Sequence, residues 1–209
     1  CNVVSPIFAE YQVTVEYSYQ VKDEVIFTYP SWIPVTSTNM ALQQASYTLV
    51  TPKSRTPRMK GVNRIPEVSI SSEKETNQYK WEISNFAAID TEPFSPPYYE
   101  LIPFLLLAPD YVNYNTYSNP FVSWNDFGKF LSYLVNDRDQ LAPETIVKLQ
   151  SLVKDCADNK SKIKAVYKYM QQRTRYVGVQ IGIGGWQPTS ADFVDKKGYG
   201  DCKGLVNYT

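Results

Sequence analysis

The chain has 209 residues, room for one large domain or two small ones, and its 43% hydrophobic and 20% charged content is that of a globular protein. Lys+Arg and Asp+Glu both number 21, so the formal net charge is zero, which removes the electrostatic case for a nucleic-acid or anionic-membrane partner. No apolar run approaches the ~20 residues that a membrane-spanning helix needs, and the longest, residues 101–108, is interrupted by Pro103.

In chain order, the first signal is residues 11–22, where Tyr11, Val13, Val15, Tyr17, Tyr19 and Val21 alternate with polar partners. Period two predicts a long strand with one buried face. Residues 25–29 read as a second, shorter strand, after which Pro30 and Pro34 break regularity. Ala45, Tyr47 and Leu49 alternate with Ser46 and Thr48, which predicts a strand stopping at Pro52. Residues 53–64 are basic and carry Pro57 and Gly61, so they read as a solvated loop or a short edge strand. Val68 and Ile70 suggest a strand, residues 71–78 a turn, and Tyr79, Trp81 and Ile83 the next strand. Residues 101–107 predict a last buried strand, and the Tyr/Asn-rich residues 111–119 a surface loop. Strands at this spacing with turn chemistry between them argue for an antiparallel sandwich.

After Pro120 the period changes from two to 3.6. Ser123, with Asp126 three residues on, predicts a capped helix carrying Trp124, Phe127, Leu131, Leu134 and Val135 inward. A second helix starts near Pro143, with Ile146, Leu149, Val153 and Cys156 on one stripe. A third spans about 161–174, with Ile163, Val166, Tyr167 and Met170 inward. Residues 177–183 read as β-like, and Gly182, Gly184 and Gly185 as a flexible turn before Trp186. That glycine run lacks the Lys-Ser/Thr ending of a phosphate-binding loop. The fold class expected is therefore α+β, an antiparallel sandwich-like part over residues 1–120 followed by a mainly helical part over 121–209.

Cys1, Cys156 and Cys202 form neither a disulfide framework nor a zinc-ligand spacing, and with no histidine in the chain no metal or other cofactor is expected. Cys156 lies on an apolar stripe and reads as core. No lipobox accompanies Cys1, which argues against a lipid-bearing terminus. Cys202 differs. It follows Gly198-Tyr199-Gly200-Asp201 and precedes Lys203-Gly204-Leu205. A helix starting there would aim backbone N–H groups at the sulfur, favouring thiolate and offering an oxyanion hole. Asp201 is a fitting N-cap whose charge opposes the thiolate, and Lys203 offsets it. Tyr176 and Trp186 are candidates to line a substrate cleft, with core packing as the bland alternative.

Residues 163–169, Arg175-Tyr176-Val177, Gly182-Ile183-Gly184-Gly185-Trp186-Gln187-Pro188 and Gly198-Tyr199-Gly200-Asp201-Cys202-Lys203 together resemble the bacterial transglutaminase-like superfamily, a papain-like cysteine enzyme core. The branch most similar places that core behind a β-rich domain of unknown function, and residues 27–52 and 79–107 resemble parts of that domain. The resemblance implies that Cys202 is the nucleophile, with Gly200, Asp201 and Lys203 as its motif. It also implies a Cys-His-Asp mechanism on peptide or side-chain amides, resolved by water or by an amine. The histidine and the acid would follow the cysteine, so the chain is expected to be a fragment: a β-domain lacking its beginning, then the first, helical half of the core. Alone it should be inactive, and its partners would be an amide substrate and the remainder of its own polypeptide. The 17 tyrosines, 14 prolines and absence of an initial Met fit a processed periplasmic or extracellular protein. The alternative reading is a non-catalytic binding or assembly module that keeps the same fold.

Overall fold

The computed structural model describes residues 14–23, 27–90 and 92–209. It is mixed α+β, with antiparallel strands first and a mostly helical region after them. The anchor of the first part is strand β4 (Thr76–Phe86), which pairs antiparallel with β1 (Leu42–Pro52) on one side and β3 (Ser69–Ser72) on the other. The β1–β4 register sets Tyr47 opposite Trp81 and Leu49 opposite Tyr79. Alternation in β4 sends Tyr79, Trp81 and Ile83 inward, all buried. A second, two-stranded sheet pairs β2 (Arg58–Val62) with β5 (Phe104–Ala108). Leu105 and Leu107 of β5 join Tyr79 and Trp81 in one core, with Trp32, Tyr47 and Met59 packed against it. A short helical turn α1 (Tyr98–Leu101) leads into β5. The predicted strand over 101–107 therefore begins only after Pro103, whose ring supplies no ladder N–H.

Three sequence expectations need correcting in this part. Residues 11–13 and 24–26 lie outside the described residues. Residues 14–23 form no strand, and Tyr17 and Tyr19 are 77% and 79% exposed. Their rings stack with centroids 6.3 Å apart. A side-chain bond from Gln43 Nε2 to Thr14 Oγ1 at 3.4 Å ties the segment to β1. Alternation supplies one apolar face, but a strand also needs a ladder, and none reaches these residues. Residues 27–29 likewise carry no strand.

The expected loop over 111–119 is instead a hairpin, β6 (Tyr111–Tyr114) with β7 (Tyr117–Pro120), turning at Asn115, whose φ is 51°. It buries Val112 and Tyr117 against Phe130 and Leu134 of the next helix. The basic stretch takes the short edge-strand alternative, as β2, and its side chains are not merely solvated. Arg55 lies 3.9 Å above the Tyr111 ring, the Thr56 N–H donates to Asp110 Oδ2 at 2.9 Å, and Arg58 Nη2 donates to the Phe121 carbonyl at 2.9 Å. Those contacts fasten β2 and the turn before it to the hairpin and to the entry of the helical part.

That part opens with α2 (Trp124–Val135), whose capping box forms as expected: Asp126 N–H donates to Ser123 Oγ at 3.1 Å, and Ser123 N–H to Asp126 Oδ2 at 3.0 Å. The inward face is Phe130 and Leu134, flanked by Leu131. Trp124, placed inward by the sequence, is 87% exposed, because a first-turn side chain lies beyond the end of the packed stripe. Helices α3 (Pro143–Val153) and α4 (Asn159–Arg173) follow, α4 entered through a capping box of Asp158 and Ser161. Val166 and Met170 are half-buried, whereas Ile146, Ile163 and Tyr167 face outward. Cys156 is half-buried and free. The expected β-like stretch over 177–183 is shorter and earlier: β8 is Arg175–Tyr176, and Gly182–Gly185 form a 3₁₀ turn. Helix α5 (Ala191–Lys197), strand β9 (Tyr199–Gly200) and helix α6 (Cys202–Tyr208) complete the chain. Among the described residues no helix is long and apolar enough to cross a membrane.

Candidate active site

The surroundings of Cys202 are built by a helix stop, a two-residue ladder and a helix start in quick succession. Helix α5 begins at Ser190, whose hydroxyl accepts from the Phe193 N–H, and ends at Gly198 in the left-handed region, φ 68°. A Cβ at Gly198 would lie 3.0 Å from the Arg173 carbonyl oxygen, so geometry and space both demand glycine there. The chain then runs parallel to β8, with Arg175 opposite Tyr199 and Tyr176 opposite Gly200. Arg175 N–H donates to the Gly198 carbonyl and Val177 N–H to the Gly200 carbonyl, each at 3.0 Å. Gly200 is buried, and a Cβ on it would meet Val194 Cγ2 at 3.2 Å. The glycines of the motif thus bring the start of α6 tight against α5.

Asp201 caps α6. It is 4% exposed; its Oδ1 accepts from the Gly204 N–H at 2.9 Å and its Oδ2 from the Lys203 ammonium. Burial acts to raise the Asp201 carboxyl, but the Lys203 and Gly204 donors outweigh it and hold the group below the ordinary carboxylate range. The opposition of Asp201 to a thiolate, expected from the sequence, is offset by Lys203 at contact range.

Cys202 is the first residue of α6 and is exposed. Among the described hydrogen bonds its N–H has no acceptor, so it points out of the helix end as an available donor. Tyr176 stands opposite Gly200, two residues before Cys202. The neighbouring Cys202, then burial and the charge of Asp201, push its phenol above the ordinary value, and Lys203 acts the other way. The structure therefore gathers Gly200, Asp201, Cys202, Lys203 and Tyr176 in one place. The described ring contacts of Trp186 lie elsewhere: it meets Phe27 edge-on at 5.5 Å and Phe127 at 6.1 Å. Its neighbour Gln187 donates from Nε2 to the Leu134 carbonyl at 3.1 Å, which fixes this turn on α2.

Sequence reasoning missed the group that holds the other end of α6. Asp195 is nearly enclosed and accepts from the Tyr208 hydroxyl and from Thr145 Oγ1, each at 2.7 Å, and from Arg173 Nη2 at 3.3 Å. Burial acts to raise its carboxyl, yet Thr145, Tyr208 and Arg173 together hold it low. One carboxylate thereby ties α3, α4, α5 and α6. Asn207 adds a bond from Nδ2 to the Arg138 carbonyl at 2.7 Å. The residues are scattered between 138 and 208, and no local pattern marks them as partners. Among the described residues, no group of three His, Cys, Asp or Glu side chains is placed to hold a metal ion.

The fold is similar to that of a crystal structure from Parabacteroides distasonis described as a "putative protease", with a TM-score of 0.56 and 15% identity over 86% of this chain. The chain covers 33% of that protein, so it spans about a third of its length. At this identity the likeness is one of fold. No family profile matches the chain, and no curated protein does.

Proposed function

We propose that the chain carries the nucleophile-bearing half of a transglutaminase-like cysteine enzyme that cleaves or transfers peptide or side-chain amides. The observation that carries this reading is the placing of Cys202: an exposed sulfur on the first residue of a helix, with its capping carboxylate neutralised by Lys203. The likeness of fold to a protein described as a protease supports it. In this reading the Cys202 thiolate attacks the amide carbonyl carbon, and the oxyanion that forms lies within reach of the Cys202 N–H. The C–N bond then breaks, and the departing amine takes a proton. Histidine is the usual donor of that proton, and this chain has none. The resemblance assigns that role, and the carboxylate orienting it, to further polypeptide. Water resolves the acyl-enzyme in a protease or amidase, an amine in a transglutaminase.

A division near residue 120 into a β-domain and a catalytic half, and an extracytoplasmic place of action, belong to the same proposal. A second reading is a binding module without turnover; the absence of histidine from the 209 residues fits both readings alike. The test compares the full-length protein with its Cys202→Ala form on casein and on a small amide. Cys202-dependent turnover is expected. An inert full-length protein whose added sequence contains a histidine and an acid would transfer the weight to the binding module.

A further inference from the structure

The zero net charge conceals a segregation. Residues 159–191 contain Lys160, Lys162, Lys164, Lys168, Arg173 and Arg175 and no Asp or Glu, whereas residues 81–128 contain acids and no Lys or Arg. Most of the basic run is helix α4, and one side of α4 is open. Val166, Tyr169 and Met170 turn toward the rest of the fold, the last two against the core of Ala191, Val194 and Tyr208. Lys160, Ile163, Lys164, Tyr167 and Lys168 share the opposite side, spaced by three and four, and all are exposed, Ile163 by 69% and Tyr167 by 50%. Arg173 is engaged by Asp195. Among the described ion pairs and hydrogen bonds, none takes the side chain of Lys160, Lys164, Lys168 or Arg175. Just before the helix, Asp158 is held in the cap by Ser161.

Lys160, Lys164 and Lys168 rise along this side in steps of about 6 Å. Alternate residues of an extended chain are ~6.6 Å apart and point the same way. Successive carboxylates of such a chain can therefore meet successive ammonium groups, with Ile163 and Tyr167 beside them for apolar contact. An anionic lipid surface fits less well, because a helix lying in a membrane needs a continuous apolar face and this side of α4 has two apolar residues among its lysines. The basic line also leads to the candidate site: α4 ends at Arg173, and the chain passes at once into β8, where Arg175 is exposed and Tyr176 stands opposite Gly200. We propose that the outer face of α4 docks the substrate, an extended acidic peptide segment with carboxylates at alternate positions, and leads it over Arg175 to Cys202. The inference rests on the nucleophile reading above and adds to it the class of substrate. From Lys160 to Arg175 the path is ~22 Å, about seven extended residues.

The test uses the full-length protein and a fluorescein-labelled peptide of about seven residues with Glu at alternate positions, beside the same peptide with Gln in their place. Binding is read by fluorescence anisotropy on the Cys202→Ala form, so that it does not depend on turnover. The Glu peptide should bind more tightly than the Gln peptide, and less tightly as salt is raised. Lys160→Gln, Lys164→Gln and Lys168→Gln combined should weaken it roughly three- to thirtyfold. Lys53→Gln, Lys60→Gln and Lys74→Gln combined, the same loss of charge among the strands, should leave it unchanged. Glutamine suits a helix as well as lysine does, and far-ultraviolet circular dichroism of both variants should match the parent. With Cys202 in place, kcat/KM should favour the Glu peptide by a similar factor. Equal binding of the two peptides, or equal binding by the parent and the α4 variant, overturns the docking surface. Phosphatidylserine vesicles that retain the parent but not the α4 variant, with no binding of the Glu peptide, assign this face to a lipid surface and overturn it as well. Cys202-dependent turnover with no preference for the Glu peptide overturns the substrate class and leaves the nucleophile standing. Glu-peptide binding that is lost in the α4 variant, with no turnover of any substrate, keeps the docking surface and overturns the nucleophile reading.

Discussion

The Tyr208 hydroxyl donates to Asp195 Oδ1 at 2.7 Å, and through this bond the last turn of α6 is fastened to α5. Tyr208 is buried, so the bond cannot be replaced by water without opening the core around Ala191 and Val194. Tyr208→Phe should therefore destabilise the chain by about 1.5–3 kcal/mol, the range for a hydrogen bond to a charged partner. Urea unfolding monitored by circular dichroism checks this. An unchanged midpoint would show that Thr145 and Arg173 satisfy Asp195 unaided.

The same carboxylate sets the acid limit of stability. Asp195 and Asp201 are both held below their ordinary values in the fold, as burial is outweighed by their donors. A depressed folded value means that the stabilisation is complete above the unfolded value of about 3.9 and is lost as pH falls through the folded one. Stability should stay level from neutral pH to about 5 and decline below about 4. Asp195→Asn should be less stable at neutral pH and show a shallower acid decline. An equal decline in parent and variant would assign acid lability to other groups.

Glycine substitutions should divide sharply by position. Gly198→Ala puts a side chain at φ 68° with a backbone oxygen 3.0 Å away, and the cost should be about 1–3 kcal/mol. Gly128 lies inside α2 with open space around it, and Gly128→Ala should stabilise by up to ~1 kcal/mol. Thermal unfolding of the two variants should move in opposite directions; movement the same way would contradict the strain assigned to Gly198.

Arg58 tests whether the basic stretch is structural. Its guanidinium donates to the Phe121 carbonyl at 2.9 Å and reaches those of Pro109 and Val122 at 3.5 Å. Arg58→Lys keeps the charge but has one nitrogen for three oxygens, so it should be nearly as disruptive as Arg58→Ala, each costing about 1 kcal/mol. A lysine variant with parental stability would return this residue to the solvated surface.

Legibility in the sequence followed the range of the interactions concerned. The cap of α2 was readable because Ser123 and Asp126 interact within one turn. Strand β4 was readable because each inward residue, Tyr79, Trp81 and Ile83, meets a core that any sandwich would supply. Residues 14–23 show the same alternation without a ladder, and pairing is a property of two segments, not one. The hairpin over 111–120 was hidden because its polar composition masks two buried positions, Val112 and Tyr117, that need α2 to cover them. In the site, Asp201 and Cys202 were visible as a helix start. The place of Tyr176 beside the motif depended on its parallel pairing with Gly200 across the intervening sequence, and Asp195 on four helices at once.

Helix α6 is too short to hold its own direction, yet it is pinned at each end, by Asp201 at the start and by Tyr208 on Asp195 at the finish. The bearing of the sulfur is thus decided by fastenings on other helices. Thr145 on α3 and Arg173 on α4 bond to the carboxylate that anchors Tyr208, and through it they become remote adjusters of where Cys202 points. Sequence change at those two positions could retune the reach of the thiol while every residue of the Gly-Asp-Cys-Lys run stays as it is.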